Sequence, residues 1–250
     1  MKIVVIGGSG LIGSKVVTCL DGKGHEAIAA SLDTGVNTLT GEGLAEVLEG
    51  AAVVVDVSNS PSFEDEAVMN FFTTSTTNLL AAEADAGVRH HVALSVVGTE
   101  RLAESGYMRA KLVQEKLIGD SAIPFSIVHA TQFFEFAKGI ADDATDVDVV
   151  RLPDALIQPI AAEDVAAAVC EASVGAPVDG VIEIAGPEEF TFAQFVGEGL
   201  SARGDQRTVV ADPKARYFGA DLEERTLLPT SAARLGEARF SDWLARPDRA

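Results

Sequence analysis

The chain has 250 residues, of which 47% are hydrophobic and 23% charged, a composition typical of a globular protein that buries a sizeable core. Its 19 Lys and Arg stand against 38 Asp and Glu, and the resulting net charge of −19 disfavours nucleic acid and anionic membranes as main partners. The sequence opens on an apolar strand pattern and contains no apolar stretch of membrane-spanning length, so we expect a cytoplasmic, soluble protein.

A glycine-rich turn follows the first predicted element. Residues 2–6 form an apolar run typical of a buried strand, and residues 15–20 have helical periodicity. Between them, Gly7, Gly10 and Gly13 have the spacing G-x-x-G-x-x-G. In such a turn the first glycine permits the tight bend, the second lets phosphates approach the backbone, and the third lets helix and strand pack closely. Because a helix N-terminus also offers free N–H groups to an anion, we predict a nucleotide site here rather than a simple turn.

Strands and helices alternate from residue 2 to residue 129. This alternation predicts an α/β fold: a doubly wound parallel sheet of the Rossmann type with helices on both faces. A ligand is then expected outside the carboxyl ends of the strands, where the strand order reverses. The predicted strands are 2–6, 25–31, 36–40, 52–57, 89–96 and 125–129, and the predicted helices are 15–20, about 44–49, 63–86 and 107–118.

The alternation is less regular beyond residue 130. We predict helices at 133–139, 162–173 and 191–200 and strands at 146–151 and 181–185. With no sharp linker, we expect a dinucleotide-binding domain at 1–150 and, at 151–250, a small lobe that covers the substrate and does not fold independently. Cys19 and Cys170 lie in predicted apolar helices without metal or redox spacing, so we expect two small buried hydrophobic residues.

A tyrosine and a lysine lie four residues apart on a predicted helix. Tyr107 and Lys111 share one helix face, and an ammonium near a phenol lowers the phenol pKa from about 10. A phenol that titrates nearer neutral pH can exchange a proton during carbonyl reduction or alcohol oxidation. The alternative is a surface tyrosine packed beside a lysine stem. The position of Tyr107, just after a strand at the nucleotide edge of the sheet, favours the catalytic interpretation.

At this point the chain resembles the short-chain dehydrogenase/reductase superfamily, whose active site uses a Tyr-x-x-x-Lys pair with an upstream Ser. It looks most like the NmrA-like atypical branch of that superfamily. The segments that carry the likeness are GGSGLIG, TLTGEGL, VVVDVSNSPSFEDE, HHVALSVVG, YMRAKLVQEKLI and TQFFEF, with PIAAEDVAAAV at 159–169.

The resemblance implies a catalytic set and a cofactor-binding set. Tyr107 is implied as general acid or base, Lys111 as the group that lowers its pKa and binds the nicotinamide ribose, and Ser95 as the residue that holds the substrate oxygen. Glu42 is implied near the adenine and Asn59 near the ribose. The implied cofactor-binding residues are Gly7, Ser9, Gly10, Leu11, Ile12, Gly13, Ser31, Glu42, Asn59 and Lys111.

The residues give opposing indications of which nicotinamide cofactor binds. Asp33 follows the second strand and no basic residue occurs between Lys23 and Arg89, which favours the free 2′-hydroxyl of NAD. Ser31 and Lys15 offer donors to a 2′-phosphate, and the atypical branch mostly uses NADP. We therefore expect NADP, with NAD as the alternative.

Two functions remain open from the sequence. The first is an oxidoreductase that transfers a hydride from NAD(P)H to a small carbonyl, quinone or related acceptor, with Tyr107 as proton donor. The second is a dinucleotide sensor that binds NAD(P) without catalysis. Phe133, Phe134 and Phe136 either line an apolar substrate pocket or pack in a helix core, and His129 is expected to be a packed strand residue. No metal-ligand spacing and no G-x-S-x-G elbow occur.

Overall fold

The protein has an α/β fold in the computed structural model, which describes residues 1–246. The last four residues of the predicted lobe, 247–250, lie outside the described residues. The strands are β1 Lys2–Ile6, β2 Glu26–Ala30, β3 Val53–Asp56, β4 His91–Val96, β5 Phe125–Ala130, β6 Thr145–Asp146, β7 Val149–Leu152, β8 Leu156–Ile157, β9 Gly180–Ala185, β10 Phe190–Thr191, β11 Thr208–Ala211 and β12 Arg234–Leu235. The α-helices are α1 Leu11–Gly22, α2 Leu44–Leu48, α3 Asp65–Ala86, α4 Gly106–Gly119, α5 Ala137–Asp143, α6 Ala162–Val174, α7 Phe192–Ser201 and α8 Phe240–Leu244.

A seven-stranded parallel sheet forms the centre of the molecule. Its strand order is β12-β9-β5-β4-β3-β1-β2, so the chain leaves β1 toward β2 on one side and returns to β3 on the other. The strand order reverses between β1 and β3, and the carboxyl ends of these two strands define a crevice where α/β sheets bind ligands. This architecture confirms the predicted doubly wound α/β sheet.

The central strand β1 explains why its apolar run is continuous. Alternate side chains point to opposite faces of a strand, and both faces of β1 are covered. Ile3 and Val5 pack with Val16 in a core that includes α1 and α6, whereas Val4 packs with Leu79 beneath α2 and α3. Burying both faces fixes the strand, and with it the position of the turn that follows Ile6.

The predicted strand at 36–40 is wrong. Those residues form a tight loop in which the Asn37 N–H donates to the Glu42 carbonyl over 2.9 Å and the Gly41 N–H donates to the Asn37 carbonyl over 2.8 Å. Gly41 and Gly43 have φ of +80° and +74°, left-handed conformations that end an extended run. The apolar residues of this segment therefore serve a loop and not a sheet strand.

Residues on both sides of position 150 build the main sheet. Strand β9 pairs in parallel with β5, and β12 pairs with β9. The chain after residue 130 also forms a three-stranded sheet, β11-β7-β6, and the fully buried aromatic side chains of a second core, to which Leu102 and Met108 contribute from earlier in the chain. The largest fully buried members of that core are Phe134, Phe192, Phe195, Phe240 and Trp243.

The two cysteines form a disulfide, so the expectation of two independent buried thiols is wrong. Cys19 of α1 and Cys170 of α6 are 151 residues apart in sequence, and their Cα atoms lie 6.4 Å apart. The two helices pack side by side on one face of the sheet, which brings the distant residues together. The sequence does not show that these two helices pack together or which of their residues face each other, so the pairing of Cys19 with Cys170 could not be predicted from it.

A buried ion pair joins α3 to β4. His91 Nδ1 lies 2.9 Å from Glu83 Oε1, and both side chains are fully buried. Burial alone would lower the pKa of His91, but the charge of Glu83 and its hydrogen bond outweigh burial and raise that pKa.

Among residues 1–246, no helix has the length and apolar character that crossing a membrane requires.

Candidate functional site

One large cavity of about 820 Å³ lies at the carboxyl ends of β1, β3, β4 and β5. It contains both the glycine turn after β1 and the Tyr107 helix after β4. All predicted site residues except Gly13 and Glu42 line it: Gly7, Ser9, Gly10, Leu11, Ile12, Ser31, Asn59, Ser95, Tyr107 and Lys111. The two halves of the predicted site therefore share one cleft.

The glycine turn has the backbone geometry that a pyrophosphate cradle needs. Gly7 has φ of +78°, and a Cβ there would lie 2.9 Å from the Ser58 backbone. At Gly13 a Cβ would lie 2.1 Å from the Gly7 carbonyl oxygen, so α1 can approach β1 this closely only without a side chain. Gly10, the N-cap of α1, lines the cavity, and no side chain caps the helix. The first-turn N–H groups thus face a space that an anion fits.

Two residues implied by the resemblance lie outside the cavity lining. Gly13 packs behind the turn, which matches the packing role that its spacing predicted. Glu42 is exposed, and its backbone carbonyl closes the 37–42 loop. The same loop reaches the cavity through Asn37, Thr38 and Leu39 instead.

An acidic residue lies where the second strand ends. Ser31 follows β2, and a single turn of 3₁₀ helix, Leu32–Thr34, places Asp33 on the cavity lining. The Thr34 hydroxyl accepts the Ser31 N–H over 2.8 Å, which fixes this turn. Within the described residues, Lys111 is the only lining residue with a cationic side chain, and Lys111 belongs to α4. This end of the cavity favours a free ribose 2′-hydroxyl over a 2′-phosphate.

Tyr107 occupies the first turn of α4, which Ser105 caps by accepting the Met108 N–H. The Tyr107 hydroxyl donates to Asn59 Oδ1 over 3.3 Å, linking α4 to the loop after β3. Its ring contacts Phe63 and Phe218 at centroid distances of 5.4 and 5.7 Å. Burial raises the pKa of Tyr107 above its ordinary value, so the expected lowering by Lys111 is wrong. At neutral pH the phenol keeps its proton.

Lys111 is held by the end of the sheet. Its ammonium donates to the Leu94 carbonyl over 2.9 Å and to the side-chain oxygen of Gln114, whose amide donates to Asp56 Oδ2 over 2.9 Å. The ammonium also lies 4.5 Å from the centre of the Phe72 ring. Burial lowers the pKa of Lys111 to about 8, although the charges of Asp56 and Glu115 oppose that shift.

Ser95, at the end of β4, donates its hydroxyl proton to Glu115 Oε1 over 2.5 Å. His129 Nε2 lies 3.0 Å from the same carboxylate oxygen, and Thr99 donates to it over 3.3 Å. Burial would raise the pKa of Glu115, but the hydrogen bond and charge of His129 outweigh it, and the pKa is lowered. His129 is thus a packed, paired residue of β5, as its position in a strand predicts.

Several lining or supporting residues were missed by the sequence analysis. Gln114 and Glu115 lie three and four residues after Lys111, and helical spacing alone places all three side by side. Tyr217 and Phe218 line the cavity from a turn about 110 residues later, in a segment without periodicity. In that turn Phe218 has φ of +46° and Gly219 of +79°. No sequence signal connected this turn to the site.

No family model matches this chain. It is 29% identical over 205 residues to a (4-alkanoyl-5-oxo-2,5-dihydrofuran-3-yl)methyl phosphate reductase of Streptomyces griseus subsp. griseus, an alignment covering 76% of this chain and 69% of that protein. It is 24% identical over 164 residues to the photosystem II assembly factor Ycf39 of Cyanophora paradoxa, covering 58% of this chain. The chain spans about half the length of that factor, 51%.

Solved structures with bound NAD have the same fold. One of them is a double mutant of DesIV, a dTDP-glucose 4,6-dehydratase from Streptomyces venezuelae. It superposes on this chain with a TM-score of 0.75 at 17% identity, and the match covers 100% of this chain and 96% of that one. MoeE5 in complex with UDP-glucose and NAD gives a TM-score of 0.74 at 16% identity, covering 98% and 96%. A short-chain dehydrogenase/reductase superfamily protein from Agrobacterium tumefaciens gives 0.72 at 17% identity, covering 98% and 95%. The chain therefore has a Rossmann-like α/β fold of the kind these NAD-bound proteins share.

Proposed function

We propose that the chain is an NAD(P)H-dependent oxidoreductase that reduces a small carbonyl, quinone or related acceptor, with Tyr107 as proton donor. The observation that carries this proposal is that one cavity is lined by both the glycine turn and Tyr107. The Streptomyces relative named as a reductase and the structural neighbours that hold NAD support the same class of chemistry. We propose the NmrA-like atypical branch as the subfamily. This assignment rests on the likeness of the sequence segments alone.

The binding roles follow from the residues of the turn. The N–H groups of the first turn of α1 would hold the pyrophosphate, and Gly10 leaves room for its approach. Asp33 would accept the hydroxyls of the adenosine ribose, which favours NAD over NADP at this end. Lys111 and Asn59 would lie near the nicotinamide ribose because both line the cavity beside Tyr107.

Tyr107 is proposed to donate the proton in this reaction. When bound there, a reduced nicotinamide would supply the hydride to the acceptor carbonyl carbon. The carbonyl oxygen accepts the Tyr107 proton as its double bond becomes a single bond, and the product is the alcohol. The raised pKa of Tyr107 keeps that proton in place at neutral pH. Ser95 is proposed as a polar neighbour of the acceptor oxygen, and its hydroxyl must turn away from Glu115 before it can donate there.

The part of the chain after residue 150 is proposed to cover a small-molecule substrate. Tyr217 and Phe218, which line the cavity, come from this part and support the assignment. The turn that carries them is closed by two hydrogen bonds between the backbones of Tyr217 and Ala220, at 2.9 and 3.0 Å. A short, closed turn of this kind presents its two aromatic side chains in a fixed position.

A dinucleotide sensor without catalysis is the second candidate. It is favoured by the hydrogen bond that engages the Tyr107 hydroxyl with Asn59 and by the contacts that hold Lys111 on Leu94 and Gln114. Resemblance to an assembly factor points the same way. In this alternative the same cavity would bind NAD(P), and the aromatic residues would report occupancy to a partner.

The test compares wild type with Tyr107→Phe in two assays. The first follows NADH and NADPH oxidation with a panel of aldehydes, ketones and quinones, and the second measures cofactor affinity by fluorescence titration. We expect Tyr107→Phe to lower kcat by about 100-fold or more, since it removes a general acid, and to leave cofactor affinity within about twofold. Unchanged turnover in the variant would show that Tyr107 is not the donor. Tight cofactor binding with no turnover by wild type would favour the sensor.

A further inference from the structure

Exposed apolar side chains are concentrated around the cavity. Among the described residues, the large hydrophobic side chains that are more than a third exposed include three phenylalanines, Phe63 at 51%, Phe136 at 48% and Phe218 at 39%, and all three line the cavity. Leu32 and Leu39 are also exposed and line it. Contiguous exposed apolar surface around a cleft marks a binding site for an apolar ligand.

Aromatic rings of the cavity wall form two groups. Phe133 and Phe136 stack on each other with centroids 5.0 Å apart and an interplanar angle of 25°. Phe218 stacks on the Tyr107 ring at 5.7 Å and 24°, and Phe63 contacts both of these rings. Flat surfaces of this kind bind planar rings by stacking and burial of apolar area.

The backbone at Phe218 is strained in a way that supports a ligand role. A φ of +46° is uncommon for a bulky residue, and glycine would adopt it without penalty. The conformation places the Phe218 ring on Tyr107 and on the cavity lining. Strain of this kind is found where a side chain is held for binding.

The charges of the cavity disfavour an anionic acceptor. Lys111 is the only Lys or Arg among the described residues that line the cavity. Its ammonium is already hydrogen-bonded to the Leu94 carbonyl and to Gln114. The ionisable acids on the lining are Asp33 and Asp143, and the whole chain carries a net charge of −19. Away from the N-terminus of α1, which the dinucleotide pyrophosphate would occupy, Lys111 is the only described lining residue that offers the arginine or lysine donor ordinarily used in phosphate recognition.

Several polar groups that line the cavity with Tyr107 are neutral, in contrast to Lys111. Tyr217, Thr131 and Gln132 line the same cavity, and the Thr131 hydroxyl donates to the Gln158 carbonyl over 2.6 Å. Burial raises the pKa of Tyr217, and the neighbouring Tyr107 raises it further, so both phenols stay uncharged at neutral pH. Tyr217 and Gln132 can donate a hydrogen bond to a carbonyl oxygen, and as neutral groups they give no charge attraction to an anionic substituent.

We propose that the acceptor is an uncharged aromatic carbonyl compound, such as a quinone or an aryl ketone, held between the Phe133–Phe136 pair and the Phe63–Phe218 rings, and that phosphorylated acceptors are excluded. The inference rests on the proposed reductase function and narrows its substrate class. It separates this chain from the Streptomyces relative, whose name specifies a methyl phosphate compound, and from the structural neighbours complexed with UDP-glucose or named for dTDP-glucose.

Calorimetric titration with two matched probes tests the proposal without turnover. The probes are 1-naphthol, which is uncharged at pH 7, and 1-naphthyl phosphate, which adds one anionic group to the same ring. Both are titrated in the presence of saturating NAD⁺, which would occupy the proposed pyrophosphate site. We expect 1-naphthol to bind and 1-naphthyl phosphate to bind at least about 10-fold more weakly. Phosphate binding as tight as that of the naphthol would overturn the proposal.

Two variants locate the binding wall. Phe136→Ala and Phe218→Gly each remove an exposed ring, and glycine suits the positive φ at position 218, so both variants should fold. Each is expected to weaken 1-naphthol binding by about fivefold, whereas Val178→Ala, an exposed position outside the cavity lining, leaves it unchanged. Equal affinity in wild type, Phe136→Ala and Phe218→Gly would overturn the proposal.

A turnover assay keeps this inference separate from the function on which it rests. Wild type is assayed with 1,4-naphthoquinone and with its 2-sulfonate, using NADH and NADPH. Selective reduction of the uncharged quinone supports both claims, and equal or faster reduction of the sulfonate contradicts the substrate class alone. If 1-naphthol binds selectively but neither NADH nor NADPH binds, the proposed function fails while the aromatic site stands.

Discussion

Lys111 is the most heavily constrained charged residue of the candidate site. Its side chain is 2% exposed, it donates to a strand carbonyl and to Gln114, and Gln114 connects it to Asp56. The chain Asp56–Gln114–Lys111 joins the carboxyl end of β3 to α4. A buried ammonium held this way is fixed in position. Its pKa is lowered because removing the charged form from water costs free energy.

This residue predicts a pH dependence of stability. Between about pH 8 and pH 10.5 the unfolded chain keeps a proton on Lys111 that the folded chain has released, so this group makes the free energy of unfolding rise with pH by up to about 3 kcal/mol. Urea unfolding of wild type and Lys111→Met at pH 7 and pH 10 measures the difference. Wild type should gain stability relative to the variant over that interval. A stability difference that does not change with pH would contradict the low pKa.

We expect Asp33, which lines the cavity just after β2, to determine whether NAD or NADP is preferred. A carboxylate beside a ribose 2′-phosphate repels it by about 1 kcal/mol when solvent screens the pair, which is about fivefold in affinity. Asp33→Ser should therefore raise the affinity for NADPH relative to NADH by about that factor, as measured by fluorescence titration of both cofactors. Asp148→Ser, an exposed acid outside the cavity lining, is the matched control. An unchanged NADPH/NADH ratio in Asp33→Ser would place the adenosine elsewhere.

At the scale of elements, the site depends on how β1, the glycine turn and α1 fit together. The apolar run of β1 is buried on both faces, which fixes where the turn begins. Gly13 then lets α1 pack onto the turn at a distance that no side chain permits. The position of the α1 N-terminus, and so of the proposed pyrophosphate site, follows from these two contacts.

Two glycines of α1 provide a matched pair of substitutions. A Cβ at Gly13 would lie 2.1 Å from the Gly7 carbonyl oxygen, whereas a Cβ at Gly22 meets nothing within 4 Å. Gly13→Ala should lower the free energy of unfolding by about 1–3 kcal/mol or more and abolish cofactor binding. Gly22→Ala should raise it by about 0.5–1 kcal/mol and leave binding intact. Urea unfolding and cofactor titration measure both, and equal effects of the two substitutions would refute the packing role of Gly13.

Local sequence patterns were sufficient to predict part of the fold. The apolar runs of β1 and β3 and the glycine spacing predicted the sheet and the turn, and ten of the predicted site residues line the cavity. The segment 36–40 was predicted as a strand, but Gly41 and Gly43, which follow it in left-handed conformations, close it into a loop. Local periodicity does not record which segments find a partner strand.

The rest of the site depends on contacts between residues distant in sequence. Tyr217 and Phe218 reach Tyr107 from about 110 residues away, and Phe218 does so in a backbone conformation that its residue type does not signal. The pKa of Tyr107 was predicted in the wrong direction because spacing to Lys111 was visible and burial was not. Burial is a property of the assembled cavity, which a sequence pattern cannot supply.

At the scale of the whole molecule, two hydrophobic cores are organised around one cavity. One core lies between the sheet and the pair α1 and α6, and the other contains the fully buried aromatic side chains from the chain after residue 130. Tyr107 packs against the second core, and the glycine turn begins where the first core ends. Members of both cores, such as Ile12 and Met108, line the cavity.

The disulfide ties α1 to α6 beneath this cavity and predicts a redox dependence of stability. Because Cys19 and Cys170 are 151 residues apart, the crosslink restricts the unfolded chain strongly, and reduction should lower the free energy of unfolding by about 2–4 kcal/mol. Urea unfolding with and without dithiothreitol measures the change. The double variant Cys19→Ala/Cys170→Ala should be insensitive to the reductant. Equal stability of oxidised and reduced wild type would contradict the crosslink.

The central claim is that the Tyr107 hydroxyl and the glycine turn serve one bound dinucleotide. A crystal structure of the protein grown with NADH or NADPH tests it most directly. The account predicts the pyrophosphate against the backbone N–H groups at the start of α1 and the nicotinamide ring at the Tyr107 end of the same cavity. A nicotinamide bound away from Tyr107, or a dinucleotide bound outside this cavity, would contradict it.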